Sequence, residues 1–405
     1  MTDNMIQPTQ PHNNITQELT SDGRASGIER EENTNKQSDM TAPFKPSEVE
    51  ITTRHHTVDL LMNRIERHEI DLQPGFQRKA GVWDSTQKSQ FIESLLLRIP
   101  IAAFYVAADP NDNWIIVDGL QRLHTLYGFT RLQQFVLTHL EFLPQFNGKT
   151  FAQLQRNIQR RISETEFVIH VIQPGAPKEV TSTIFKRINT TGLPLSPQEI
   201  RHALYQGKSV DFLKQLAESK PFKEATNDDI IDDRMTDQEC ILRYVAFVIN
   251  PIAHYAKHRD MDAFLSQIMA TLNQAPPTLF EQLQQDFDKS MRAAFNIFGP
   301  LAFRKRYKTR QHRILPINRG LFETWSVALS QCNNKQIATL IENSAVVKER
   351  FVRLMNGDYL PTGVRKEKFT FDQAISEHTF NRDRVYFRFK VISRLIQDIL
   401  NKNDS

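Results

Sequence analysis

The run Trp114-Ile115-Ile116-Val117-Asp118-Gly119-Leu120-Gln121-Arg122-Leu123-His124-Thr125-Leu126 constrains this chain more than any other stretch. A short apolar segment ends in Asp-Gly, and an amphipathic segment with Gln121 and Arg122 in its first turn follows it. The pattern is strand, tight turn, helix. Gly119 allows a sharp turn and close approach of a ligand to the backbone. The first amides of the helix have no internal acceptor and point outward. Arg122 adds a planar positive fork beside them. This arrangement predicts a phosphate or nucleotide site in the N-terminal half. An ordinary Asp-Gly turn without a ligand is the competing reading.

With 405 residues the chain is long enough for two or three domains with their own cores. Hydrophobic residues make up 40% and charged residues 24%, an ordinary globular composition. No run reaches the length of a membrane-spanning helix, and the polar N-terminus has no signal-peptide core, which predicts a cytoplasmic chain without a membrane partner. Cys240 and Cys332 cannot build a disulfide framework or a zinc site alone, so both are expected as small core residues. No His-Glu-x-x-His or Cys-x-x-Cys occurs. Gly148-Lys149-Thr150 lacks the glycine that a P-loop needs five positions earlier, where Leu143 stands.

The net charge of +4 is unevenly spread. Residues 1–45 hold four Lys/Arg against seven Asp/Glu, a net of −3, so the remainder carries +7. Between Leu301 and Gly320 stand Arg304, Lys305, Arg306, Lys308, Arg310, Arg313 and Arg319, with no acidic residue. A basic run suits a phosphate backbone, which makes Arg304, Lys305, Arg306, Lys308, Arg310 and Arg313 candidate DNA contacts. A solvated loop is the alternative.

Residues 1–46 are rich in Asn, Gln, Thr, Ser and Glu and are expected to be a disordered polar tail. From 47 to 205 short strands and helices alternate. Thr57 is placed to cap a helix bearing Val58, Leu61, Met62 and Ile65, and Ser85 a second bearing Phe91, Ile92, Leu95 and Leu96. Ala102 to Ala107 and Trp114 to Val117 read as a hairpin, Phe151 to Ile162 as helix, Phe167 to Ile172 as strand and Val180 to Ile188 as helix. Ser196 caps a further helix. From 206 to 405 the pattern is helical, with Lys335 to Met355 read as one helix.

Two further polar groups could face the same ligand as the Asp-Gly turn. Gln77 and Arg78 leave the turn Gln73-Pro74-Gly75-Phe76, and Arg187 and Asn189 stand where a helix ends before Gly192. Each has an ordinary structural alternative, a surface ion pair or a helix C-cap.

Taken in order, Pro74-x-Phe76-Gln77-Arg78, Trp83, Phe91-Ile92-Glu93-Ser94-Leu95-Leu96, Ile99-Pro100, Asp118-Gly119-x-Gln121-Arg122, Phe185-x-x-Ile188-Asn189-Thr190-x-Gly192-x-x-Leu195-Ser196 and Glu199-Ile200-Arg201 resemble the GmrSD restriction endonuclease N-terminal domain family. Asp237-x-Glu239-x-x-Leu242-Arg243-Tyr244 and Pro316-Ile317-Asn318-Arg319-Gly320-Leu321-Phe322-Glu323-x-Trp325 resemble segments that follow in other members. The resemblance implies an α+β, ParB/sulfiredoxin-like domain with a small mixed sheet over about residues 47–205, followed by an all-α domain. It also implies binding and hydrolysis of a nucleoside triphosphate with Mg2+ in a DNA-directed restriction system.

Asp118, Gln121 and Arg122 are then catalytic candidates. Gln77, Arg78, Gly119, Arg122, Arg187 and Asn189 bind nucleotide, and Asp118 holds the metal. The family signature is Asp-Gly-Gln-Gln-Arg, and here its third position is Leu120. If the missing Gln positions water, binding outlasts hydrolysis. The His-Asn-His nuclease domain that many members carry is not recognisable in 206–405, so a separate nuclease partner is expected. The alternative function is a DNA-binding or scaffold protein that holds nucleotide without turnover. Oligomerisation is left open.

Overall fold

The computed structural model describes residues 15–20, 23–31, 49–70, 72, 83–188, 195–231, 234–255, 260–310 and 313–401. The fold is α+β. The chain divides into two compact units, one from the described residues of Met40–Leu204 and the other combining those of Met1–Asp39 with those of Tyr205–Ser405.

In the first unit a four-stranded sheet is built from β3 (Ile51–Thr57), β4 (Phe104–Ala108), β5 (Trp114–Asp118) and β6 (Glu166–Ile172), in the order β3-β6-β4-β5. β3 pairs antiparallel with β6 from Ile51↔Ile172 to Thr57↔Glu166, β6 pairs parallel with β4 at Phe104↔Ile169, and β4 pairs antiparallel with β5 at Val106↔Ile116. The inward positions alternate, as strand geometry requires. Phe104, Val106, Trp114, Ile116, Phe167, Ile169 and Val171 share one core with the apolar faces of α1 (Val58–Glu66), α2 (Ser85–Leu96) and α3 (Leu120–Thr130). Each such large side chain contributes on the order of 1.5–3 kcal/mol by leaving water.

Local signals set the helix boundaries. Thr57 accepts from the Leu60 amide and caps α1 as expected. For α2 the cap is Asp84, one residue before Ser85, because Asp84 and Gln87 complete a reciprocal capping box. Ser196 accepts from the Glu199 amide at 3.1 Å and caps α6 (Pro197–Leu204). Within α2, Glu93 is 3% exposed and its carboxylate accepts the backbone amides of Glu141, Phe142 and Leu143 at 3.1, 2.8 and 2.7 Å. One side chain thus fastens the loop after α3 to the core.

Two expectations need correction in this unit. β3 was not anticipated: it is an edge strand of Thr, Arg and His, whose alternation is polar on both faces. The helix expected from Phe151 is a 3-10 turn at Phe151–Gln153 followed by α4 (Arg156–Ser163), since Gln153 caps back onto Thr150 and closes the short turn. The turn at Gly148 follows a 3-10 helix, not a strand, in keeping with the rejection of a P-loop.

The second unit is helical. α9 (Thr236–Ile249), α12 (Pro277–Phe298) and α13 (Arg319–Ser330) bury Tyr244, Phe287, Phe322 and Trp325. The helix expected over Lys335 to Met355 is divided into α14 (Asn334–Glu342) and α15 (Ser344–Met355), because Asn343 serves as C-cap of the first and N-cap of the second. Cys240 and Cys332 are free and buried as anticipated, and burial pushes the Cys240 thiol up to about 12.

The expectation of a disordered tail needs correction at residues 15–20 and 23–31. Its described residues form a hairpin, β1 (Gln17–Leu19) and β2 (Ala25–Glu29), in which Ile28 is completely buried and bridges Ile317. Acidic side chains that look like solubilising groups in sequence find buried cations in the helical unit. The other residues of 1–46 lie outside the described set.

Candidate functional site

β5 delivers Asp118 to the end of the sheet, opposite Tyr105, where the β4–β5 register shifts between Tyr105 and Val106. Such a shift re-aims the last side chain of a strand. Gly119 follows at φ +103°, in the left-handed region, and is the N-cap of α3. A β-carbon here would lie 2.3 Å from the Phe104 ring and 3.0 Å from Arg122 Nη2, so both backbone and space demand glycine. Among the described residues the first amides of the helix have no side-chain cap from the N-cap position, which is the expected preparation for an anion.

Arg122 lies back along the turn. Its guanidinium sits 4.3 Å above Phe104 and donates to Asp118 Oδ2 at 2.9 Å, to the Ala103 carbonyl at 3.2 Å and to the Ala102 carbonyl. The Arg122 side chain is 12% exposed and that of Asp118 32%. Burial lowers the proton affinity of Arg122, and the facing carboxylate works in the opposite direction. Arg122 thus belongs to an ion pair at the mouth of the turn and is not turned out into solvent.

The two remaining motif positions divide their roles. Leu120 is buried in the core, so the residue that departs from the family signature contributes packing. Gln121 is partly exposed, yet its Oε1 is buried and without a hydrogen-bond partner among the described residues. An unsatisfied buried carbonyl is unusual and calls for a partner. His124, one turn further, was not singled out from sequence. Its Nε2 lies 2.6 Å from the Leu72 carbonyl and ties α3 to the segment that leads toward Gln77 and Arg78. Those two residues, and Asn189, lie outside the described set. Arg187 is exposed near the end of α5 (Lys178–Ile188), and α5 packs against β5, the strand that carries Asp118.

A separate surface cleft of about 550 Å³ lies where α2 and α4 end, among Arg98, Arg160, Arg161, Glu164 and Glu166. None of Asp118, Gly119, Gln121 and Arg122 lines it. Its three arginines meet two carboxylates and two helix C-termini, and Arg160 already pairs with Glu164 at 3.1 Å.

The basic segment is not the surface it resembles in sequence. Arg304 is 3% exposed, pairs with Asp229 at 2.6 Å and donates to three carbonyls, Pro300, Thr226 and Leu315. Lys305 meets Glu29 at 2.5 Å. Arg319 is forked by Glu18. These cations hold the helical unit together and cannot contact DNA from where they sit. The correction has a simple cause: their acidic partners are remote in sequence. Arg306 is half-buried, Lys308 is exposed and pairs with Asp358, and Arg313 is exposed; the Arg310 side chain lies outside the described set.

Among the described residues no group of three or more His, Cys, Asp or Glu side chains could hold a metal by itself, and no helix is long and apolar enough to cross a membrane. No curated protein and no solved structure matches the chain. Residues 59–206 match a family model described as GmrSD restriction endonuclease, N-terminal domain. The matched segment includes the Asp118–Arg122 turn and is similar to the N-terminal domains of GmrSD restriction endonucleases.

Proposed function

We propose that this chain binds and hydrolyses a nucleoside triphosphate at the Asp118–Arg122 turn, as the sensing or regulatory component of a restriction-type defence system. The observation that carries the reading is the start of α3: a left-handed glycine, an adjoining Arg–Asp pair and, among the described residues, no side-chain cap and no partner for the buried Gln121 carbonyl.

In this reading the amides of α3 hold phosphate oxygens. Arg122 neutralises charge that develops on the transferred group, with Gln77, Arg78, Arg187 and Asn189 completing the nucleotide contacts. Asp118 fits Mg2+, because such sites need only one or two carboxylates when phosphates supply the other oxygens. When bound, the ion would supply positive charge to the phosphates. Gln121 orients the attacking water through its carbonyl, which has no hydrogen-bond partner among the described residues.

Phosphate release from the four common nucleoside triphosphates in the presence of Mg2+ tests the proposal. Gln121→Ala is expected to retain binding and lose turnover, and Arg122→Ala to lose both. Turnover at the wild-type rate in a folded Arg122→Ala variant would remove the site. A second reading, a DNA-binding or scaffold protein that holds nucleotide without turnover and works with a separate nuclease, is favoured by Leu120, which places an apolar core residue where the family carries Gln. Binding without phosphate release would select it.

A further inference from the structure

The hairpin in the helical unit is held mainly by charge. Glu18 forks onto both terminal nitrogens of Arg319 at 2.6 and 2.7 Å, Glu31 onto those of Arg243 at 2.9 and 2.7 Å, and Glu29 reaches Lys305 at 2.5 Å. Arg243 and Arg319 stand in the two segments that resemble later parts of the family, and their side chains are 1% and 4% exposed. The backbone of β2 adds a short strand edge: the Glu29 amide donates to the Ile317 carbonyl at 2.8 Å and the Ile317 amide to Gly27 at 2.9 Å. Gly27, at φ +81°, fits so closely that a β-carbon would fall 2.0 Å from the Asp229 carbonyl oxygen.

Apolar burial contributes little. Of the apolar residues in β1 and β2, Leu19 and Ala25 are exposed, and Ile28 alone is buried. One isoleucine cannot offset the entropy of ordering a hairpin, so the ion pairs and the strand bonds must carry the docking.

We infer that the β1–β2 hairpin with Glu31 is a releasable acidic strap, closed onto the helical unit by ion pairing and opened by ionic strength. Opening separates three carboxylates from three cations, and salt stabilises charges once they are separated and wet. The helices beneath rest chiefly on aromatic and aliphatic packing, and their own ion pairs, Arg243–Glu239 within α9 and Arg388–Glu323, are not separated when the hairpin opens. Release leaves Arg243, Arg319 and Lys305 without the hairpin carboxylates, so strap closure and the charge of this face are one equilibrium.

Hydrogen exchange on the full-length chain reads it directly, at the Glu29 and Ile317 amides, with amides inside α9 as reference. Raising salt from low to molar concentration is expected to speed exchange at the two strap amides by about tenfold or more and to leave α9 unchanged. A chain carrying Glu18→Gln and Glu31→Gln is expected to show the fast exchange at low salt already. Strap amides that exchange at the α9 rate in every salt would show that they open only with the whole unit, and would overturn the inference. The wild-type salt series decides the matter even if the double variant does not fold.

Discussion

Gly119→Ala isolates the geometry on which the site depends. Alanine at φ +103° carries the left-handed penalty of about 1–2 kcal/mol. Its β-carbon would also overlap the Phe104 ring, 2.3 Å away, in a core where overpacking costs roughly 1–3 kcal/mol. The two terms give about 2–5 kcal/mol of lost stability, or a fall in Tm of about 4–20 °C for a unit of this size. Gly148→Ala is the control: it has a similar φ of +80° but nothing within 4 Å of the added carbon, so only the strain of about 1–2 kcal/mol applies. Paired urea titrations of the two variants measure the difference. Equal losses would show that Phe104 yields without cost, and the argument that glycine is required for space as well as conformation would fail.

Three other outcomes follow from the same structure. Arg304→Ala should cost about 3–5 kcal/mol because it removes the ion-pair partner of Asp229 and the guanidinium donor to the Pro300, Thr226 and Leu315 carbonyls, whereas Lys308→Ala and Arg313→Ala should fall within about 0.5 kcal/mol of wild type; thermal denaturation separates them, and a neutral Arg304→Ala would restore the surface reading of the basic segment. Glu93→Ala strips the acceptor from three loop amides and should cost about 3 kcal/mol or more, visible as faster exchange of the Glu141–Leu143 amides before the helices open. Burial acts to raise the pKa of Asp112, but hydrogen bonds from the Trp114 indole and Arg54, with the charges of Arg54 and Arg64, hold it below the usual aspartate range. A depressed carboxylate stabilises the fold above its unfolded pKa and loses that contribution as pH falls through the folded value, so Trp114 fluorescence should change on acidification below about pH 4 and Asp112→Asn should abolish that step.

The parts of this fold that sequence displays are those written in neighbouring residues. Thr57, Ser196, the β4–β5 hairpin and the Asp118-Gly119 turn each combine a local cap or turn with a periodic apolar run, and each is found where that chemistry requires. The parts that were hidden depend on distant partners. β3 has no apolar alternation because its Thr, Arg and His residues lie on an edge strand, so its pairing with β6 leaves little trace. The segment at residues 17–31 looks like a solvated tail until Arg319, Lys305 and Arg243 are placed beneath Glu18, Glu29 and Glu31. The same blindness made Arg304 and Lys305 resemble a nucleic-acid surface. At the site, the residue types were legible, but the folding of Arg122 onto Phe104 and Asp118 and the inward direction of Leu120 were not, since both depend on which face of α3 meets the sheet.

Calorimetric titration of the full-length chain with nucleoside triphosphates and Mg2+ goes to the centre of the account. Saturable binding of at least one triphosphate is predicted, lost in Arg122→Ala while the circular dichroism of that variant stays native. A folded chain that takes up none of them would contradict it.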